Sequence, residues 1–177
     1  NNANYEVVEC GLTDLSNNLI TDAIITTYKG RVWVAKGSTL YYSALGKYDD
    51  FTTANDAGYI NDFHTNTDVI TALGEYKDFL AIYKKNQVYL LSGTSSSDFA
   101  VQLFADKGTK SHNSVINVDN RQYFISNGGI FSLEEAGVLE VAPLAYMRGR
   151  SLSDCCSRIL WCGFWFSGGV RRLAVRL

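Results

Sequence analysis

The stretch GRVWVAKGSTLYYSALG, residues 30–46, decides the fold of this 177-residue chain. It contains two short apolar runs separated by a polar Lys-Gly-Ser turn. In the first run Val32 and Val34 point to one face of a strand and Trp33 and Ala35 to the other, because successive side chains of a strand alternate. Both faces are apolar, so the stretch predicts a β-hairpin whose central strand is buried on both sides.

The same pattern recurs twice along the chain. Hairpins are predicted at 28–43, 76–92 and 119–133, each as an apolar run, a turn with Gly or Asn, and a second run with aromatic residues. In the third hairpin the turn Asn127-Gly128-Gly129 is the strongest signal, because Asn and Gly tolerate the positive φ that a tight turn requires. The recurrence predicts a repeated unit.

Each predicted hairpin has a strand on either side of it. Strands that precede the hairpins are predicted at 21–27, 67–73 and 113–118, and strands that follow them at 58–63, 99–104 and 138–142. Ile24, Ile70 and Ile116 lie in the preceding strands, at intervals of 46 residues. Four strands in about 46 residues match one blade of a β-propeller.

The sequence therefore predicts an all-β, β-propeller-like fold with about four four-stranded blades. The first 147 residues hold the repeats near 21–66, 67–112 and 113–147, and residues 148–177 form an atypical Arg- and Cys-rich tail. This tail is a candidate fourth, partial blade, with a strand pair at 164–175. The chain is then either an incomplete ring or part of a longer protein, and a two-layer β-sandwich remains the alternative fold.

Composition and charge narrow the classes further. The chain is 46% hydrophobic and 19% charged, which is typical of a globular protein. It has no 18-residue apolar run, and its first 20 residues lack the basic start and apolar run of a signal peptide, so we expect neither a transmembrane helix nor a signal peptide. The net charge is −2, but six Arg and one Asp follow Met147, so residues 1–147 carry −7. The four cysteines have no zinc-binding spacing and predict free thiols in a reducing cytoplasm.

The motifs of common enzyme and metal sites are absent from the sequence. His64 and His112 lie in polar contexts without ligand spacing, and there is no G-x-S-x-G, P-loop or G-x-G-x-x-G. The acidic pairs Asp49-Asp50 and Glu134-Glu135 are typical of solvated loops. We therefore expect no catalytic residues, cofactor or metal, and no specific nucleic-acid or membrane binding, since the tail arginines are read as scattered surface charge.

Three segments in order resemble a known family. These are GRVWVAKGSTLYYSALGKYDDF, with AGYIN shortly after it, then ITALGEYKDFLAIYKKNQVYLLSG, and then SVINVDNRQYFISNGGIFSL. Together they resemble the β-propeller proteins of short-tailed bacteriophages, namely tail hub, nozzle and head-to-tail stabilisation proteins. The resemblance covers residues 21–142, and residues 148–177 depart from the pattern.

The resemblance implies a structural role in a virion assembled in the host cytoplasm. Such proteins form a ring of identical copies with other tail or portal proteins, and contribute to the channel through which DNA leaves. They carry no catalytic site. A charge of −7 on the main body fits a channel that does not retain DNA, although it also fits simple solubility.

The long segments between the repeats are the expected contact loops. They are residues 46–66 and 92–113, and the first contains four aromatic residues that are candidates for partner contact: Tyr48, Phe51, Tyr59 and Phe63. The same side chains are equally candidates for packing under their own blade. Aromatic-rich loops also suit a glycan-binding, receptor-recognition propeller, which is the alternative function. A glycosidase propeller, the third class, would depend on Asp56 or Asp62.

Overall fold

The computed structural model describes residues 12–13, 19–52, 55–63, 68–135 and 137–143, all within one compact unit. The predicted partial blade at 148–177, His64 and the four cysteines lie outside these residues. The described ranges contain no α-helix, and a short 3-10 helix, His112–Ser114, precedes the last sheet. No helix in these ranges is long and apolar enough to cross a membrane.

Twelve strands form three four-stranded antiparallel sheets, and in each sheet the strands follow one another in chain order. The first sheet consists of β1 (Ile24–Tyr28), β2 (Arg31–Lys36), β3 (Thr39–Tyr42) and β4 (Gly58–Ile60). The second consists of β5 (Ile70–Tyr76), β6 (Phe79–Lys84), β7 (Val88–Ser92) and β8 (Ala100–Ala105). The third consists of β9 (Ile116–Val118), β10 (Arg121–Ser126), β11 (Gly129–Glu134) and β12 (Gly137–Pro143). The all-β prediction, with three hairpins flanked by two strands each, is confirmed.

The repeat is regular in topology but not in length. Ile24, Ile70 and Ile116 lie in the first strand of each sheet, as predicted, and each begins its strand, three residues after the predicted start. The turns after those strands begin at residues 29, 77 and 119, intervals of 48 and 42, and their first residues have φ of 45°, 53° and 48°. The first strands therefore differ in length, with five, seven and three residues, while the tight left-handed turn is kept.

The second sheet lies between the other two, because alternate residues of its strand β6 pack against different neighbours. Leu80 and Ile82 belong to a core cluster with Trp33 and other residues of the first sheet. Ala81, the residue between them, belongs to a second cluster with Phe124 of the third sheet. Because alternate residues of a strand face opposite sides, both faces of this sheet are buried against a neighbour. The described residues thus form three stacked layers, not a two-layer sandwich.

The same alternation applies to β2, the strand of the opening hairpin. Trp33 and Ala35 are buried in the cluster shared with the second sheet, and Val34 is buried on the opposite face. Trp33 contacts the ring of Phe99, which precedes β8, at 5.2 Å between centroids. A fully buried large apolar side chain contributes on the order of 2–3 kcal/mol, so this layer is a main source of stability.

One backbone contact sets how the second sheet starts beside the first. The amide of Ile70, the first residue of β5, donates a 2.7 Å hydrogen bond to the carbonyl of Gly37 in the β2–β3 turn. Gly37 has a φ of 61°, which suits glycine in a tight turn. This bond therefore ties the start of β5 to the β2–β3 turn of the first sheet.

Candidate functional site

The four aromatic residues expected to contact a partner lie in different surroundings. Tyr48 and Tyr59 are 59% and 49% exposed, and Phe51 is partly buried. Phe63 is only 1% exposed. The structure therefore corrects the placement of Phe63, which is a core residue, and partner contact stays a prediction for the other three.

Phe63 is buried because it packs on the second sheet. Its ring packs edge-on against Tyr89, with 5.5 Å between centroids, and its carbonyl accepts a 3.2 Å hydrogen bond from the Tyr89 hydroxyl. The Nζ atom of Lys84 lies 4.4 Å from the Phe63 ring centroid, a cation–π distance. Burial lowers the pKa of Lys84.

Tyr48 projects from the tip of the β3–β4 loop, which the structure describes at residues 43–52 and 55–57. The neck of this tip is closed by a 2.8 Å hydrogen bond from the Ala44 amide to the Asp50 carbonyl. The amide of Gly46 donates a second 2.8 Å bond to the carbonyl of Gly30 in the β1–β2 turn. Leu45 is also 59% exposed on this tip. The loop therefore exposes the large apolar side chains of Leu45 and Tyr48 on a backbone that two hydrogen bonds hold in place.

Tyr59 lies on β4, at the edge of the first sheet, and not on the same loop. Its partner across the ladder is Tyr41 of β3, and the two rings are 6.2 Å apart between centroids. The structure thus does not gather Tyr48 and Tyr59 on one element.

Asp50 organises the β3–β4 loop from within. Its Oδ1 accepts a 2.9 Å bond from the Thr52 amide, and its Oδ2 accepts a 2.7 Å bond from the Asn55 amide group. The hydrogen bonds from Thr52, followed by that from Asn55, lower the pKa of Asp50. Hydrogen bonding to the charged form of a carboxylate has this direction of effect.

Asp98 has the same role in the β7–β8 loop, residues 93–99. Its Oδ1 accepts hydrogen bonds of 2.9 Å and 2.7 Å from the amides of Thr94 and Ser95. These backbone donors lower the pKa of Asp98, the Ser95 bond contributing most. Each of the two loops is therefore a small body closed around one carboxylate.

A buried arginine joins the two loops. Arg31, the first residue of β2, is 1% exposed. Its Nη1 donates 2.7 Å bonds to the carbonyls of Ser43 and Asp56, and its Nη2 bonds the Asp56 carboxylate and, at 3.4 Å, the Thr94 carbonyl. Ser43 and Asp56 belong to the β3–β4 loop, while Thr94 belongs to the next sheet. One guanidinium thus spans both loops.

Aromatic rings complete the surroundings of Arg31. The guanidinium carbon lies 5.5 Å from the Tyr42 ring centroid and 5.6 Å from that of Phe99. A second link comes from the hydroxyl of Ser96, which donates to the Asp56 carboxylate. The Ser96 bond, followed by the Arg31 bond, lowers the pKa of Asp56. Arg31 Nε is buried and makes no hydrogen bond within the described part of the chain.

This arrangement holds the two loops in place through their own carboxylates. The carboxylates of Asp50, Asp56 and Asp98 all accept hydrogen bonds from their own loops or from Arg31. Asp56 and Asp62, the pair considered for glycosidase chemistry, lie beyond opposite ends of β4. Within the ranges described, no group of three or more His, Cys, Asp or Glu residues is arranged to hold a metal ion.

Sequence reasoning missed Arg31 and Leu45. Arg31 stands at the start of an apolar strand, and its partners are 25 and 63 residues away, so no local pattern marks it. Leu45 is exposed because the Ala44–Asp50 hydrogen bond closes its loop, and the spacing of residues in the sequence does not predict that bond. No protein-family model matches the chain, and no curated protein matches it.

Proposed function

We propose that this chain is a structural, non-enzymatic component of a tailed-phage virion, built as a β-propeller. Its position would be that of a tail hub, nozzle or head-to-tail connector that contributes to the DNA exit channel. The proposal combines the ordered sequence resemblance over residues 21–142 with the three sheets that occupy the same span.

The observation that carries the proposal is the double burial of the second sheet. Leu80 and Ile82 pack toward the first sheet while Ala81 and Tyr83 pack toward the third. Antiparallel sheets of four strands in chain order, stacked face to face, are the units of a propeller. The first strands β1 and β5 lie against each other, as expected for sheets that radiate from an axis. About four such blades would form or join the ring.

The side chains that the first loop exposes support the proposal that the partner is a protein. The carboxylates of Asp50, Asp56 and Asp98 accept hydrogen bonds from other groups of the protein. The exposed side chains of the first loop include the apolar Leu45 and Tyr48. Exposed aromatic residues on rigid supports are typical anchors of protein interfaces. We expect them to contact a neighbouring copy or another tail or portal protein.

The charge of the main body supports a conduit that does not retain DNA. Residues 1–147 carry −7, which disfavours contact with phosphate groups. The proposal therefore includes no specific nucleic-acid binding.

Purified particles test the proposed function. The strain that encodes the chain is induced for phage production, DNA-filled particles are banded on a density gradient, and their proteins are quantified by peptide mass spectrometry. We expect this chain in the banded particles at a constant ratio to the portal protein. Recovery of the chain only from the particle-free lysate would contradict the proposal.

A glycan-binding module is the second candidate, and the exposed rings of Tyr48 and Tyr59 favour it, since sugar faces stack on accessible aromatic side chains. A glycan array separates the two functions. Dose-dependent binding that is lost in Tyr48→Ala or Tyr59→Ala would support glycan recognition, whereas an array without binding leaves the structural role.

A further inference from the structure

The β3–β4 and β7–β8 loops belong to different sheets, yet two side-chain contacts cross between them. Arg31 bonds Asp56 in the first loop and the Thr94 carbonyl in the second, and Ser96 of the second loop bonds Asp56 of the first. These four residues form what we call the Arg31 clasp. It is the side-chain network that joins the two loops directly.

Because Arg31 is buried, breaking some contacts of the clasp without the others is unfavourable. If the first loop lifts, it removes both the carbonyl and the carboxylate of Asp56 from a guanidinium that is 1% exposed. A buried charge that loses its counter-ion is strongly unfavourable. If the second loop lifts, it removes Ser96 from Asp56 and exposes the Phe99 side of the guanidinium. Either movement therefore weakens the remaining contacts.

Each loop is also closed around its own carboxylate, Asp50 in one and Asp98 in the other. A loop with such internal bonds moves as a body and does not fray from its tip. A displacement at one point of the loop is thus passed to its base, where the clasp lies.

We propose that the Arg31 clasp couples the two loops into one opening unit, so that the described loop residues 43–52, 55–57 and 93–99 lose protection from hydrogen exchange together while the three sheets remain folded. The surface that the loops present is then formed or lost as a whole. This is a conformational device of the fold and does not depend on the identity of the partner.

Hydrogen exchange of the full chain, read at single amides, tests the coupling. The reporters are the hydrogen-bonded amides of Ala44 and Gly46 in the first loop and of Thr94 and Ser95 in the second. Ser96→Ala removes the hydroxyl bond to Asp56 and keeps both the backbone hydrogen bond of Ser96 and the Arg31 bonds to Asp56. We expect exchange to accelerate about three- to tenfold in both loops, as the loss of one hydrogen bond implies.

Ser97→Ala is the matched control, because its hydroxyl hydrogen-bonds Ser95 within the same loop and not Asp56. We expect it to leave the Ala44 and Gly46 amides unchanged. Asp56→Asn, which weakens the clasp from the other side, should accelerate Thr94 and Ser95. If Ser96→Ala or Asp56→Asn changes exchange only in the loop that carries the substitution, or in neither loop, the coupling is refuted.

Discussion

Tyr83 and Gln122 are 39 residues apart in sequence, and the Tyr83 hydroxyl donates a 2.6 Å hydrogen bond to Oε1 of Gln122 in the layer between the second and third sheets. Nε2 of Gln122 donates to the Glu75 carbonyl at 3.2 Å and to Asn117 at 2.8 Å. Burial raises the pKa of Tyr83 well above its ordinary value. Gly74 accommodates the amide, because a Cβ there would overlap Nε2 of Gln122. One polar residue is thus satisfied inside an apolar interface.

The first prediction concerns this buried pair. Gln122→Leu should lower the free energy of unfolding by about 1–3 kcal/mol, because the Tyr83 hydroxyl is left buried without an acceptor. Glu75 and Asn117, the acceptors of the Gln122 amide, are exposed residues, so we expect water to replace the hydrogen bonds that they lose. Urea denaturation measures the change.

Removal of both partners supplies the control. The double variant Tyr83→Phe/Gln122→Leu should recover part of the loss, because apolar replacement of both partners of a bond is close to neutral. A double variant that is as unstable as the sum of the two single variants would contradict this explanation.

The second prediction concerns a glycine that permits close backbone approach. A Cβ at Gly108 would overlap the Lys84 carbonyl oxygen and press on the amide of Gln87. That carbonyl also accepts a 3.0 Å bond from Thr109. Since rigid backbone and not a flexible side chain is in the way, Gly108→Ala should cost about 3 kcal/mol or more, or prevent folding.

Gly37→Ala is the comparison for this position. Gly37 has a φ of 61° but nothing within 4 Å of an added Cβ. The expected cost is about 1–2 kcal/mol, from the left-handed backbone alone. Thermal unfolding of both variants ranks them, and a larger loss for Gly37→Ala would refute the steric account of Gly108.

The strands were predictable because the alternation of side chains is local. Each hairpin carries its apolar period and its turn within some 15 residues, and the turn Asn127-Gly128 lies between β10 and β11 as predicted. Strand β4 is shorter than predicted, with three residues. The spacing of 46 between the isoleucines did not predict the turn intervals of 48 and 42. The isoleucine begins each first strand, but the strands differ in length, so the turns that follow them are unevenly spaced.

The loops were less predictable because their contacts are distant. Phe63 is an aromatic residue in a polar segment, and its burial depends on Lys84 and Tyr89, which belong to the next sheet. Arg31 is a charged residue in an apolar strand, and its burial depends on Asp56 and on the carbonyls around it. The surroundings of Phe63 form only when the second sheet is in place, and those of Arg31 combine the loop of its own sheet with Thr94 of the next.

The third prediction concerns the chemistry that Arg31 requires. Arg31→Lys should lower stability by about 2 kcal/mol or more, because one ammonium group cannot reach the carbonyls of Ser43 and Asp56 and the Asp56 carboxylate in the same geometry. Arg31→Met should be at least as damaging, since it leaves Asp56 without its cation. Urea denaturation measures both. An Arg31→Lys chain as stable as the parent would show that charge alone is needed.

The fourth prediction concerns acid. The pKa values of Asp56 and Asp98 are lowered in the fold by the hydrogen bonds of Ser96 and Ser95, respectively. A carboxyl group with a depressed folded pKa contributes stability above its unfolded pKa, near 4, and that contribution is lost as the pH falls through the folded value. Stability should therefore fall below about pH 4. Asp98→Asn should reduce this fall when urea midpoints at pH 7 and pH 3 are compared, whereas Asp49→Asn, at an exposed loop position, should not. Equal pH dependence in the parent and Asp98→Asn would show that Asp98 does not contribute to it.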